Sequence, residues 1–179
     1  MTTVAERSYE PLLEEHFARL AEIVSMAHAD LREIRPDLSG QLAAACLAQG
    51  AAGHVLDPSV GVKDLDLWLF YVGGPGARRA PDRRLKTYDF GPSSLGRHPA
   101  DQGYQGRRVD VMCRTVSVAV TTEPVEVVLT WLGSETTSAR QLRARPVVLV
   151  WPRAGRSRAI WPGERRRTQA TTLGSDADG

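Results

Sequence analysis

Apolar residues near the start of the chain recur at helical spacing. Leu13, Phe17, Leu20, Val24, Ala27 and Leu31 form one stripe, with Glu14, Glu15 and Arg19 off it, which predicts a long amphipathic helix from Pro11 to about Ile34. Pro11 suits a first turn, and Pro36 ends the helix. His16 and His28 read as solvated or as flanking the stripe. Asp37 to Gly40 is a turn. The next stretch, Gln41 to Gln49, is ambiguous: its alanines favour helix, but a short apolar run before a glycine also fits a buried strand. Its second half is read as strand running into Gly50, followed by a short helix that ends near Asp57 and Pro58. The pattern then changes period. Gly61 to Tyr71 begins polar and ends in the strand-forming run Trp68 to Tyr71, a strand that enters a core.

Residues 73–106 have another character. Seven Gly and four Pro punctuate them, and six Arg or Lys outnumber three Asp. Such a long, poorly structured insert within a compact domain is usually functional or disordered, with Lys86 to Phe90 a short strand inside it. Arg107 to Cys113 is another short strand, and Ser117 to Thr122 continues as strand or edge. Glu123 to Leu132 reads as a helix with Pro124 in its first turn and Gly133 at its close. Ser134 to Arg143 is a second helical stretch. Pro146 to Trp151 is a buried strand with Arg158 to Trp161 as its partner. These elements predict one α/β (α+β) domain over residues 1–162: a small mixed sheet flanked by helices, with the N-terminal helix packed on one side. Residues 163–179 lack apolar content and read as a disordered tail.

Composition narrows the picture modestly. The chain has 179 residues and a formal net charge of +2, too small to argue for nucleic-acid binding. Only Lys63 and Lys86 are lysines and the other 21 basic residues are arginine, which reads as codon bias in a GC-rich genome. No apolar run is long enough to span a bilayer. Met1 to Glu10 carries acids and no apolar signal core, so a cytoplasmic location is expected. Cys46 and Cys113 sit in apolar runs and read as small core residues; a disulfide between them is no more than a guess, and zinc-ligand spacing is absent.

The chemistry lies in the acids. In a strand alternate side chains share a face, so Asp64 and Asp66 point the same way and Leu65 and Leu67 the other. Two carboxylates at the head of a buried strand are costly unless a cation sits between them, and hard cations such as Mg²⁺ take oxygen ligands. Asp110, in the centre of the later strand, joins them if the two strands are neighbours. Two metals about 4 Å apart can then clamp the attacking and leaving oxygens of a phosphoryl transfer. Lys63, His54, Arg97 and His98 carry weaker signals: a strand-edge lysine, a packed or surface histidine, and exposed loop residues.

The ordered set resembles the DNA polymerase β-like nucleotidyltransferase superfamily over about Leu42 to Cys113. An apolar segment ends at the Gly50-Ala51 pair, twelve residues (52–63) follow, and then come the Asp64-Leu65-Asp66 strand and a third acid at Asp110. The resemblance implies a Mg²⁺- or Mn²⁺-dependent nucleotidyltransferase. Asp64, Asp66 and Asp110 would hold metal, Asp110 assisting the incoming hydroxyl. The turn at Gly50, Ala51 and Ala52 would approach a nucleoside triphosphate; apart from the resemblance, Lys63 beside Asp64 and Arg97 in the basic insert are candidates for phosphate contacts by residue type. The acceptor could be a protein, a tRNA or a small molecule. One departure is Ala51, where the family usually places Ser or Gly. It favours a second class: a catalytically degenerate binding or regulatory protein with a partner protein, of toxin–antitoxin type. A third class is a glycosyltransferase using the Asp-x-Asp pair alone, in which case Asp110 would lie far from it.

Overall fold

The computed structural model describes residues 9–74, 79–81, 84–153 and 159–162. The elements run α1 (Glu14–Ile34), β1 (Leu42–Ala48), α2 (Gln49–Leu56), β2 (Leu65–Val72), β3 (Arg84–Asp89), β4 (Arg108–Val116), α3 (Pro124–Leu132), α4 (Thr137–Arg143), β5 (Val147–Trp151) and β6 (Ala159–Trp161), with a 3-10 turn at Pro36–Leu38. The strands form one six-stranded sheet in the order β3-β4-β2-β1-β5-β6. β2 and β4 are parallel, and the other neighbouring pairs are antiparallel. The fold is the expected mixed α/β arrangement.

The alternation along β2 divides the core into two layers. Leu65, Leu67, Leu69 and Tyr71 pack with Val109, Val111 and Cys113 under α1 and α2. Trp68, Phe70 and Val72 face the other way and pack with Val127, Val128 and Trp131 of α3 and Leu142 of α4. The Trp131 ring lies 5.6 Å from Trp68 and 5.5 Å from Phe70. Asp66 belongs to this second face by parity, two residues before α3 begins to cover the strand.

Several local expectations need correction. The first helix begins at Glu14, not Pro11, because its stripe starts to bury only at Phe17, while Leu13 stays half exposed. All of Leu42–Ala48 is strand, because this run is central in the sheet, between β2 and β5, where burial outweighs the helix propensity of alanine. The 73–106 segment is not wholly an insert: its β3 is the edge strand beside β4. Ser117 to Thr122 is turn rather than strand; pairing with β2 ends at Val116. Cys46 and Cys113 pack on opposite faces, on strands separated by β2, so they form no disulfide. The expected tail at 163–179 lies outside the described residues. Among the described residues no helix is long and apolar enough to cross a membrane.

His16 is buried rather than solvated. Its Nδ1 accepts a hydrogen bond from the Leu13 backbone N–H at 2.9 Å, an N-terminal helix contact that requires the unprotonated nitrogen. Burial pushes its pKa below the ordinary histidine value, with Glu15 opposing. The folded state therefore binds fewer protons than the unfolded chain near pH 6.5, and the associated stability is full above that pH and lost as pH falls below it. His28, also buried in part, shifts the same way, through desolvation and then Arg32. The melting temperature should fall between pH 7.5 and 5.5, and fall less in His16→Gln. Equal drops in the two proteins would show that His16 does not carry the effect.

Candidate functional site

Four strands meet in one row. Ala48 pairs with Asp66 across β1 and β2, Asp66 with Asp110 across β2 and β4, and Thr87 with Asp110 across β3 and β4. Neighbouring strands are about 4.8 Å apart, so the parallel pairing places the backbones of two acids side by side. Asp64, one residue before β2, shares their face. Parity explains the placement: with Leu65 and Val109 committed to the α1 side of the core, their polar neighbours must leave by the other.

The surprise is what stands among these carboxylates. Arg108, two residues before Asp110 on the same face, reaches Asp64 and Asp110, and also Asp101 from the loop that follows β3. Its Nη2 donates to Asp64 Oδ2 at 2.8 Å and lies 3.4 Å from Asp110 Oδ2. Its Nη1 donates to Asp101 Oδ1 at 3.4 Å. Its Nε is 3.3 Å from Asp110 Oδ1; this is ion-pair contact without hydrogen-bond alignment. Burial works against the Arg108 charge, but Asp110, Asp101 and Asp64 together outweigh it and hold its pKa above the ordinary arginine value. Asp110 is 1% exposed and Asp101 7%, whereas Arg108 is 24% and Asp64 26% exposed, so two buried acids meet their counter-charge at the solvent edge of the sheet.

Asp101 comes from the 91–107 loop, which a second aspartate shapes. Asp89, ending β3, accepts backbone N–H bonds from Gly91 at 2.9 Å, Gln105 at 2.6 Å and Gly106 at 2.9 Å. The Asp101 N–H donates to His98 O, and the Tyr104 N–H to Asp101 O. The Tyr104 hydroxyl donates to Thr87 Oγ1 at 2.8 Å, closing the loop over the strand row.

The turn before α2 lies one residue earlier than the sequence suggests. Gln49, not Gly50, takes the left-handed conformation, with φ of 57°, a strained choice for a residue with a side chain. Ala48 caps the helix without a side-chain hydrogen bond, leaving its first N–H groups to other partners. Ala51 and Ala52 are fully buried in the α1-side core, so a hydroxyl at position 51 would enter the core and not meet a phosphate. A side chain on Gly50 would point into open space. The missing hydroxyl at Ala51 therefore does not argue against phosphate binding at this turn.

Among the other candidates, Lys63 is exposed and its carbonyl lies 3.5 Å from Arg107 Nη1. Arg97 is exposed and donates to Gln102 O at 3.3 Å; Arg108, not Arg97, meets the acids. His54 is packed and buried, its Nε2 donating to Glu10 O at 2.8 Å. Arg108 and Asp101 were not singled out from the sequence. The i, i+2 spacing of Arg108 and Asp110 could have flagged the first. Nothing in the chain around Asp101 marks it.

The oxygen donors of Asp64, Asp66 and Asp110 have the chemistry that Mg²⁺ or Mn²⁺ takes, and two of them, Asp64 and Asp110, already meet Arg108. Among the described residues no group of three or more His, Cys, Asp or Glu is arranged to hold a metal ion. No family model, curated protein or solved structure matches the chain.

Proposed function

We propose that the chain is a nucleotidyltransferase-type protein that moves an NMP group from an NTP to a hydroxyl acceptor with Mg²⁺ or Mn²⁺. The observation that supports this best is the register: Asp66 and Asp110 stand side by side on parallel strands, and the chain turns into α2 directly after Ala48, the residue paired with Asp66. A helix N-terminus favours anions, so phosphate-seeking N–H groups and cation-seeking carboxylates share one end of the sheet. Asp64, Asp66 and Asp110 would hold the cation, which supplies charge neutralisation for the phosphates. Of the turn residues Gly50, Ala51 and Ala52, Gly50 would offer its N–H to the phosphate chain, since it alone is not fully buried. Asp110 would bind the metal or take the proton of the acceptor hydroxyl as general base.

The adjacency of Asp110 to Asp66 argues against sugar transfer by the Asp-x-Asp pair alone. A second reading, a catalytically silent binding or regulatory protein of toxin–antitoxin type, is favoured by Arg108, which already pairs with Asp64, Asp101 and Asp110. Incubation with Mg²⁺, each labelled NTP in turn and a cell lysate separates the two. Label transferred to a protein, RNA or small molecule supports the enzyme. Nucleotide bound without transfer supports the silent reading.

A further inference from the structure

A cavity of about 250 Å³ lies between the N-terminal segment, α2 and the loop after β3, with Tyr9, His54, Val62, Ser94, Leu95 and Arg107 on its walls. That is many times the room one water needs. Parity puts it across the sheet from the acids, because Arg107 alternates with Arg108, and Val109, two residues on, packs under α1. Tyr9, 40% exposed and lying against Gly61, stands at its mouth; His54, with no exposure, stands at its inner end. Two of the lining groups lack what their chemistry asks for. His54 Nε2 donates to the Glu10 carbonyl, so in the neutral ring Nδ1 is an acceptor. That nitrogen is buried and has no hydrogen-bond partner among the described residues, and native proteins rarely leave such a group unanswered. Arg107 is half-buried, and its hydrogen bonds go to the neutral carbonyls of Leu95 and Lys63. Burial pushes its pKa below the ordinary arginine value, with Asp101 opposing, the reverse of the balance at Arg108. Ser94 adds a donor. His16 Nδ1 accepts from the Leu13 N–H, so the neutral His16 ring donates from Nε2 to Ser94 Oγ at 3.2 Å, and the Ser94 hydroxyl hydrogen can turn to another acceptor. Glu10, the one acid on the walls, is exposed and meets His54 through its backbone.

We propose that this cavity binds a small oxyanion that itself carries an O–H, of the class of hydrogen phosphate or a short α-hydroxy acid. The Arg107 guanidinium takes the charged oxygens, for which its planar fork is suited. Ser94 donates its hydroxyl hydrogen to the same group. The ligand's own O–H donates to His54 Nδ1, which an anion without a hydroxyl cannot do. The site shares no residue with the acids of the strand row, so it stands or falls apart from the nucleotide reading.

Calorimetric titration of the full chain with inorganic phosphate, sulfate, glycolate and acetate, in a zwitterionic buffer without metal or nucleotide, tests this. Phosphate keeps a P–OH at neutral pH and sulfate has none; glycolate carries a hydroxyl that acetate lacks. The hydroxylated anion should bind about tenfold more tightly than its counterpart, because the counterpart leaves a buried acceptor unpaired. A preference in only one of the two pairs identifies which anion class the cavity takes. His54→Gln, whose amide can still donate to the Glu10 carbonyl, should abolish the preference. Arg107→Gln should weaken the binding of every anion by about tenfold or more. Ser94→Ala, at an exposed position, should weaken phosphate or glycolate several-fold and leave the preference in place. If His54→Gln or Arg107→Gln does not fold, Ser94→Ala and the preference of the parent protein carry the comparison. Equal affinities within both pairs, a preference that persists in His54→Gln, or binding undiminished in Arg107→Gln or Ser94→Ala overturns the proposal. So does a parent protein that binds none of the anions.

Discussion

Gly106→Ala should lower the melting temperature by roughly 6–12 °C, the equivalent of about 3 kcal/mol in a domain of this size. The loop that carries Asp101 and Tyr104 closes where Gly106 passes Gly91. A Cβ on Gly106 would overlap the Gly91 carbonyl, with its carbon only 2.7 Å away. Neither side can yield cheaply. Gly91 and Gly106 both donate to Asp89 Oδ1, and the Phe90 N–H donates to Arg107 O. The backbones on both sides are thus tied before a new methyl group arrives. A melting curve within about 2 °C of the parent protein would mean that the loop takes another path there.

Asp66→Asn should weaken Mn²⁺ binding by roughly a hundredfold or more. Changes in groups that merely support a metal ligand cost about 10–100-fold, and Asp66 is proposed as a ligand itself. It suits the test better than Asp110, because it is only half-buried; its neutral isostere leaves the Arg108 contacts with Asp64, Asp101 and Asp110 in place. The fold should therefore survive while the site fails. Calorimetry is the check, and an Asp66→Asn titration that overlays the parent's would remove Asp66 from the site.

Most of the fold was legible because period and punctuation agree in this chain. The α1 stripe repeats at helical spacing, and Pro36 stops it. β2 carries aromatic and branched residues beside alternating acids. Misreadings arose where tertiary placement decides. The alanine-rich β1 is a strand because it lies between β2 and β5, which no local propensity records. The short strand expected at Lys86 to Phe90 is β3, which begins two residues earlier and belongs to the main sheet rather than to an insert. The acids were legible from parity alone: Asp64, Asp66 and Asp110 do share one face, and Asp66 and Asp110 are in register. Arg108 was not, because an arginine beside a strand acid is common and its partners come from 44 residues upstream and 7 residues upstream. The turn was misplaced by one residue because Gly50 looks like the flexible position, whereas Gln49 bears the positive φ.

The central claim is that the row Ala48, Asp66, Asp110 ends in a site for a nucleoside triphosphate and its cation. Thermal unfolding with and without Mg²⁺, in the presence of each of the four NTPs, tests it most directly. At a hundred times its dissociation constant a ligand stabilises the fold by about 2.7 kcal/mol, which corresponds to roughly 5–11 °C for a domain of this size. The account predicts such a rise with at least one NTP, and only when the metal is also present, since the carboxylates repel a bare triphosphate. A melting temperature unmoved by all four NTPs with Mg²⁺ would contradict it.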